Sequence, residues 1–228
     1  MFKFYGQILW DVILRPIYFY TVLPKGEWSD KPLTFAGMTS WILAAVMSIV
    51  IFFTQLWPIG ATLFEKVSGW QFVIIFPVAL LLAFMFFLMT IMIVGGVLMA
   101  LLLLLFYVLG VLIHVASHAL GGRGDIFTAI KASFYSSAVL ITAIFPILLI
   151  FLTKKGILDF TNFKIGYNMF YCFAVLYLYG IEAIISRKEY KVSKLKAFVA
   201  AILPVLLLII IGLMISQFIL PKVQPWLT

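Results

Sequence analysis

His114 and His118 are the two side chains of this 228-residue chain whose types and spacing best suit a metal ion. On a helix, imidazoles four residues apart project from nearly the same face and can hold a divalent cation. No glutamate stands between them, as it would in a zinc protease. Glu182, at the end of a later apolar stretch, is the candidate third ligand. One interpretation is therefore a divalent-metal site at His114, His118 and Glu182. The other places both histidines at the level of the lipid headgroups, bonded to backbone or phosphate.

A glycine-rich segment follows the histidines. Glycines permit positive φ, so Gly121 and Gly122 can end a helix and turn the chain sharply. Asp125 can then cap the next helix. Backbone N–H groups of such a turn, beside Arg123, can also hold a phosphate. We expect mainly a structural turn. The functional alternative is a surface for a partner, a phosphate or a lipid headgroup, formed by Gly121, Gly122, Arg123, Gly124, Asp125, Arg187 and Lys188.

Residues for catalysis or nucleic-acid binding are not apparent in the sequence. It shows no Ser-His-Asp set, no paired carboxylates, no cysteine cluster and no Gly-Lys-Ser/Thr phosphate loop. The lone Cys172 lies in an apolar run and is expected to pack as a small apolar side chain. The net charge of +8 is not arranged as a basic face interleaved with aromatics. We expect no enzymatic activity, no nucleic-acid partner and no cofactor beyond the metal considered above.

The composition predicts a membrane protein. Hydrophobic residues make up 65% of the chain and charged residues 11%, against about 25% charged in soluble proteins. The apolar runs are long and do not alternate with period two, so the predicted fold is an all-α polytopic membrane bundle. We divide the chain into an N-terminal interfacial helix and loop (1–34), the transmembrane bundle (35–220) and a short tail (221–228).

The N-terminal segment has polar residues at Lys3, Gln7, Asp11 and Arg15, a spacing that puts them on one side of a helix. A helix lying in the headgroup plane is one interpretation, and a helix packed against the end of the bundle is the other. Pro16 is expected to break it.

The stretch Val67–Ile113 contains no charged residue and would form a helix about 70 Å long, too long for one crossing of a bilayer core of about 30 Å. If it crosses twice, turning at Gly95-Gly96, the sixteen Lys and Arg residues divide equally between the two sides. If it crosses once, eleven of the sixteen share one side, and the positive-inside rule favours this arrangement. We therefore expect a cytoplasmic N-terminus, with the excess length absorbed by a re-entrant or interfacial half-helix near Trp70–Met92 or by kinks.

Five spans result from that count. The first is predicted over Phe35–Trp57, closed by Pro58 and Gly60. The long run supplies the second. The remaining three are predicted over Tyr135–Leu152, Tyr167–Ile185 and Ala197–Leu220.

Several short motifs together resemble the Yip1 domain family of multispan membrane proteins. They are His114 with Gly121-Gly122-Arg123-Gly124, Phe127 and Tyr135-Ser136; Arg15-Pro16 with Phe19-Tyr20; and Tyr177-Leu178-Tyr179-Gly180-Ile181 with Val192-Ser193 and Lys196-Ala197. The resemblance implies five spans and a cytoplasmic N-terminus. Eukaryotic members act in early secretory traffic and associate with small GTPases and with one another. The proline that often follows the Tyr-Ser pair is absent, and only 34 residues precede the first predicted span, as in the short bacterial members.

The sequence thus predicts a non-enzymatic Yip1-type integral membrane protein, in a bacterial cytoplasmic membrane, that organises membrane or binds partners through its cytoplasmic loops. Its expected partners are the bilayer, anionic lipid headgroups, and a second copy or another membrane protein. The alternative is a small transporter or lipid-handling protein that uses a helix broken by glycine and proline.

Overall fold

The structure, a computed structural model, describes residues 2–24, 30–66 and 69–227, which are helical almost throughout. Within these ranges five helical stretches are long and apolar enough to cross a membrane. They are Asp30–Thr62, Val73–Ala119, Ile126–Lys154, Phe160–Tyr190 and Lys194–Leu227. The predicted all-α membrane bundle is confirmed, and the protein is an integral multi-pass membrane protein.

The helices follow one another with short connections. In chain order they are α1 (Phe2–Leu14), α2 (Pro16–Val22), α3 (Asp30–Ile51), α4 (Trp57–Lys66), α5 (Trp70–Ala119), α6 (Ile126–Ser136), α7 (Ile144–Lys154), α8 (Phe160–Tyr190), α9 (Lys194–Met214) and α10 (Leu220–Leu227). A π turn (Phe52–Leu56) joins α3 to α4, a 3-10 helix (Ser137–Ala143) joins α6 to α7, and a second π turn (Ile215–Ile219) joins α9 to α10.

One predicted helix end is wrong. Pro58 does not close the first span, because α4 continues through it to Lys66. In the π turn before Pro58, the Trp57 N–H donates to the Phe52 carbonyl. This wider turn accommodates Pro58, which has no backbone N–H to donate. The predicted tail is also helical, since α10 runs to Leu227.

From Trp70 onward the long uncharged run forms one continuous helix, so a re-entrant or broken segment is wrong, whereas an interfacial half-helix or kinks stay predictions. α5 has 50 residues, about 75 Å, and contains Pro77 without ending there. A turn inside the bilayer would leave backbone groups without partners, at a cost of several kcal/mol each, whereas a helix satisfies them. Gly95 serves packing, because a Cβ there would lie 2.5 Å from Cζ3 of Trp41 on α3. A continuous helix agrees with a single crossing of the bilayer, the arrangement that the distribution of Lys and Arg favours.

The N-terminal helices pack against the bundle, as the second interpretation of this segment proposed. The break falls at Arg15, as predicted, between α1 and α2. Tyr5 is buried and stacks on Phe35 of α3, with ring centroids 4.8 Å apart. The hydroxyl of Tyr177 on α8 donates to the Ile13 carbonyl. α1 and α2 therefore lie at the same end of the bundle as the C-terminal part of α8.

α6 forms the centre of the packing at this end. Every residue from Thr128 to Ser136 is buried, and the helix packs among α5, α3 and α8. Contact with α5 is tight, since a Cβ at Gly110 would lie 2.7 Å from the Ile130 Cα. A short helix buried on all sides fixes the ends of α5 and α8 relative to each other.

Candidate functional site

The glycine-rich turn is a structural connection, as expected. α5 ends at Ala119, and Gly121 adopts φ +87°, a left-handed conformation that favours glycine. The Gly122 N–H donates to the Ser117 carbonyl at 2.9 Å, which closes the helix end. Asp125 caps α6 as predicted, because its Oδ2 accepts from the Thr128 N–H at 3.0 Å.

The same hydrogen bonds weaken the phosphate-binding interpretation of the turn. The Gly121 N–H donates to His118 O at 2.9 Å, and the Arg123 N–H donates to Tyr190 O at 3.2 Å. With Gly122 also bonded, three consecutive backbone donors are directed into the protein. The side chain of Arg123, in contrast, is exposed and can meet an anion.

Tyr190 organises this end of the molecule, and the sequence analysis did not single it out. It is buried at the C-terminus of α8, against both Gly122 and Gly124. A Cβ at Gly124 would lie 2.6 Å from Cδ1 of Tyr190, and one at Gly122 2.7 Å from its Cβ. The glycines are therefore needed for close approach as well as for turning. A spacing pattern could not have shown this, because the two segments lie far apart in the chain.

The predicted metal site is not assembled. The rings of His114 and His118 do stack, with centroids 5.8 Å apart, so the pairing of the two histidines is correct. However, Nδ1 of His114 lies 2.7 Å from the Tyr190 hydroxyl, and His118 is exposed. In the described ranges 2–24, 30–66 and 69–227, no three His, Cys, Asp or Glu residues lie together in a way that could hold a metal ion. Glu182 points into the core, away from a joint site.

Glu182 is completely buried, and neither carboxylate oxygen has a hydrogen-bond partner. Neither Arg187 nor Lys188, which follow it on α8, forms a hydrogen bond with this carboxylate. Arg187 is exposed on the helix, and Glu182 faces inward beside Tyr20 of α2. Burial raises the pKa of Tyr20 well above its usual value, and an ionised Glu182 carboxylate would raise it further. One turn along α8, Ser186 Oγ lies 2.8 Å from Ser117 Oγ of α5.

Arg187 and Lys188 instead line a cleft beside α2. The cleft has a volume of about 390 Å³ and is formed by Ile17, Ile184, Arg187, Lys188, Lys191 and Val192. Lys191 has φ +53°, the one positive value for a non-glycine residue in the described parts of the chain. Such a conformation costs a non-glycine residue about 1–2 kcal/mol. It turns the chain directly after α8 and brings a third cation to the cleft.

The fold and this site define an integral, multi-pass, all-α membrane protein with a basic, closely packed end. No protein-family model, no curated protein and no solved structure matches the chain.

Proposed function

We propose that this protein is a non-enzymatic membrane protein of the Yip1 type that binds anionic phospholipid, and through it organises membrane or partners, at its basic end. The observation that carries the proposal is the cleft between α2 and the end of α8. Three cations line it with three aliphatic side chains, a combination that suits a phosphate headgroup attached to apolar chains.

The position of the cleft in the fold supports this assignment. Arg187 and Lys188 lie in the last turn of the apolar span Phe160–Tyr190, where headgroups lie against a bundle. Further basic residues surround it, including Arg123 and Lys194, both exposed, and Lys196, whose Nζ donates to Leu120 O at 2.9 Å. By the positive-inside rule we assign this end to the cytoplasm, and we assign the protein to a bacterial cytoplasmic membrane.

A second copy or another membrane protein is the proposed protein partner. The first half of α5 exposes large apolar side chains on much of its surface, from Trp70 (85% exposed) to Ile93 (61%), while Phe87 packs against Phe52. A helix of about 75 Å exceeds the thickness of a bilayer, so this half needs cover from lipid or from another chain. Cross-linking in membranes between cysteines placed at Ile74 should yield dimers.

Lipid binding can be tested directly. Purified protein in detergent is offered phosphatidylglycerol, phosphatidylcholine or inorganic phosphate, and bound molecules are counted by native mass spectrometry. We expect retention of phosphatidylglycerol, weakened by salt. The variant Arg187→Gln/Lys188→Gln/Lys191→Asn should lose it. A matched variant at the opposite end, Lys154→Gln/Lys155→Gln/Lys164→Gln, should keep it.

Two results would contradict the proposal. One is equal retention of the anionic and zwitterionic lipids by the native protein. The other is equal loss in both triple variants, which would show that total charge rather than the cleft governs binding. Binding of inorganic phosphate with no lipid preference would assign the cleft to a soluble anion instead.

A lipid-handling activity is the second candidate, and one observation favours it. A groove of about 670 Å³ lies between α8 and α9, with mostly apolar walls such as Val175 and Leu206 and with Asn168 and Gln217 among its lining residues. An acyl chain with a polar end fits such a groove. The sequence favoured a lipid-handling activity because it predicted a broken α5, but α5 is continuous, so that reason no longer applies. Scrambling of labelled lipid in proteoliposomes at the rate of empty vesicles would dispose of it.

A further inference from the structure

Glu182 presents a chemical problem that lipid binding does not explain. Its side chain is completely buried, and both oxygens lack a hydrogen-bond partner. An ionised carboxylate only accepts hydrogen bonds, so it would lie there with no donor and no counter-charge. Burying an unpaired charge is far more costly than burying a neutral polar group.

The groups around Glu182 do not supply a positive charge. Its electrostatic neighbours are Tyr20 from α2 and Tyr190 from α8 itself. Tyr20 in turn interacts with Tyr135 of α6 and Tyr177 of α8. Tyr190 is hydrogen-bonded to His114 of α5. Two further charged side chains belong to α8 and to α6, which packs against it: Glu189 on α8, and Lys131 on α6, whose Nζ donates to Pro24 O at 3.0 Å. The buried residues at the start of α9 are Ala197, Ala200 and Ala201, which do not titrate.

We propose that Glu182 is a proton-binding site in the core of the bundle and that its occupancy is coupled to the docking of α2. The carboxylate takes up one proton from bulk water, and the neutral acid is the form present when α2 is docked against the bundle. A proton is the fitting ligand, because a metal ion needs several donors. No cluster of three such residues exists in the ranges 2–24, 30–66 and 69–227.

The coupling follows from the place of Tyr20. This side chain is 0% exposed, and its hydroxyl donates to the Ala132 carbonyl only at a long 3.4 Å. It belongs to a seven-residue helix that begins after the break at Arg15 and ends at Val22. α2 is thus the shortest α-helix in contact with α8 in the parts of the chain that the structure describes. Moving it is the simplest way to bring water to Glu182, so release of the proton and undocking of α2 favour each other.

Infrared spectroscopy tests the site itself. Near pH 8, where exposed carboxyl groups are ionised, the native protein should show the C=O stretch of a protonated carboxylic acid. Glu182→Gln should lack this band, while Glu189→Gln, which removes another buried acid from the same helix, should keep it. Absence of the band in the native protein overturns the proposal without any variant. Its loss in Glu189→Gln but not in Glu182→Gln assigns the proton elsewhere and also overturns it.

Thiol labelling tests the coupling. In a Cys172→Ser background, Leu23→Cys places a thiol at a position that is 8% exposed, and Val22→Cys places one at a position that is 55% exposed. Dividing the first labelling rate by the second removes the intrinsic pH dependence of thiols. The ratio should rise with pH by up to about tenfold per unit, the slope for one proton released per opening. In the Glu182→Gln protein it should stay flat. A flat ratio with Glu182 intact, or the same rise in both, overturns the coupling.

Discussion

The hydroxyl of Tyr190 lies 2.7 Å from Nδ1 of His114, which ties the end of α8 to the last turns of α5. The same hydroxyl lies 3.4 Å from Asp125 O, at the start of α6. One side chain therefore joins three helices at the point where the glycine-rich turn reverses the chain. His114, a candidate metal ligand by sequence, has a structural partner instead.

Replacing Tyr190 with phenylalanine should destabilise the protein by about 1 kcal/mol, the usual cost of one lost buried hydrogen bond. The ring still fills the space against Gly122 and Gly124, so the fold should persist. Thermal unfolding in detergent measures the change. Tyr18→Phe is the matched control, because Tyr18 is 61% exposed. This variant should be as stable as the native protein. Equal effects in the two variants would contradict the role assigned to the Tyr190 hydroxyl.

Gly124→Ala should destabilise the protein by about 1–3 kcal/mol, the range for forcing extra atoms into a packed core. Its Cβ would lie 2.6 Å from the Tyr190 ring, which cannot move without breaking the bond to His114. Gly96→Ala is the control, since a Cβ at that helical position meets no atom within 4 Å. That variant should be as stable as the native protein or slightly more so. An unchanged unfolding temperature for Gly124→Ala would show that the turn yields easily.

Asp125→Ala should cost about 1 kcal/mol by removing the cap of α6. Because α6 is buried along most of its length, loosening its first turn should also disturb the contact of Ile130 with Gly110. Asp125→Asn keeps a capping oxygen and should retain most of the stability. If asparagine is as damaging as alanine, the charge of Asp125 matters more than its cap.

Much of the fold follows from the sequence because lipid restricts the choices. Long apolar runs in a bilayer must be helical, and the unequal distribution of Lys and Arg identified the single crossing. Local signals were also sufficient at Pro16, Gly121 and Asp125, where the structure has the predicted break, turn and cap.

The errors have two physical origins. Pro58 and the pair Gly95-Gly96 are helix breakers by soluble-protein rules, yet a helix in lipid keeps its hydrogen bonds and accepts them. The site depended on contacts between distant segments, which spacing cannot reveal. Neither the insertion of Tyr190 between two glycines nor the burial of Glu182 beside Tyr20 has a local signature.

Tyr20 should make the protein sensitive to alkaline pH. Burial raises its pKa in the folded protein above the value of about 10 that it has in the unfolded chain. A group whose pKa is raised by folding contributes stability that is complete below the unfolded value and is lost as pH rises above it. The free energy of unfolding, measured between about pH 9 and pH 11, should therefore fall more steeply with pH in the native protein than in Tyr20→Phe. The difference in slope should be up to about 1.4 kcal/mol per pH unit. Tyr18→Phe, which changes an exposed phenol two residues away on the same short helix, should keep the native slope. Parallel pH profiles for the native protein and Tyr20→Phe would show that the Tyr20 phenol ionises as freely in the folded state as in the unfolded chain.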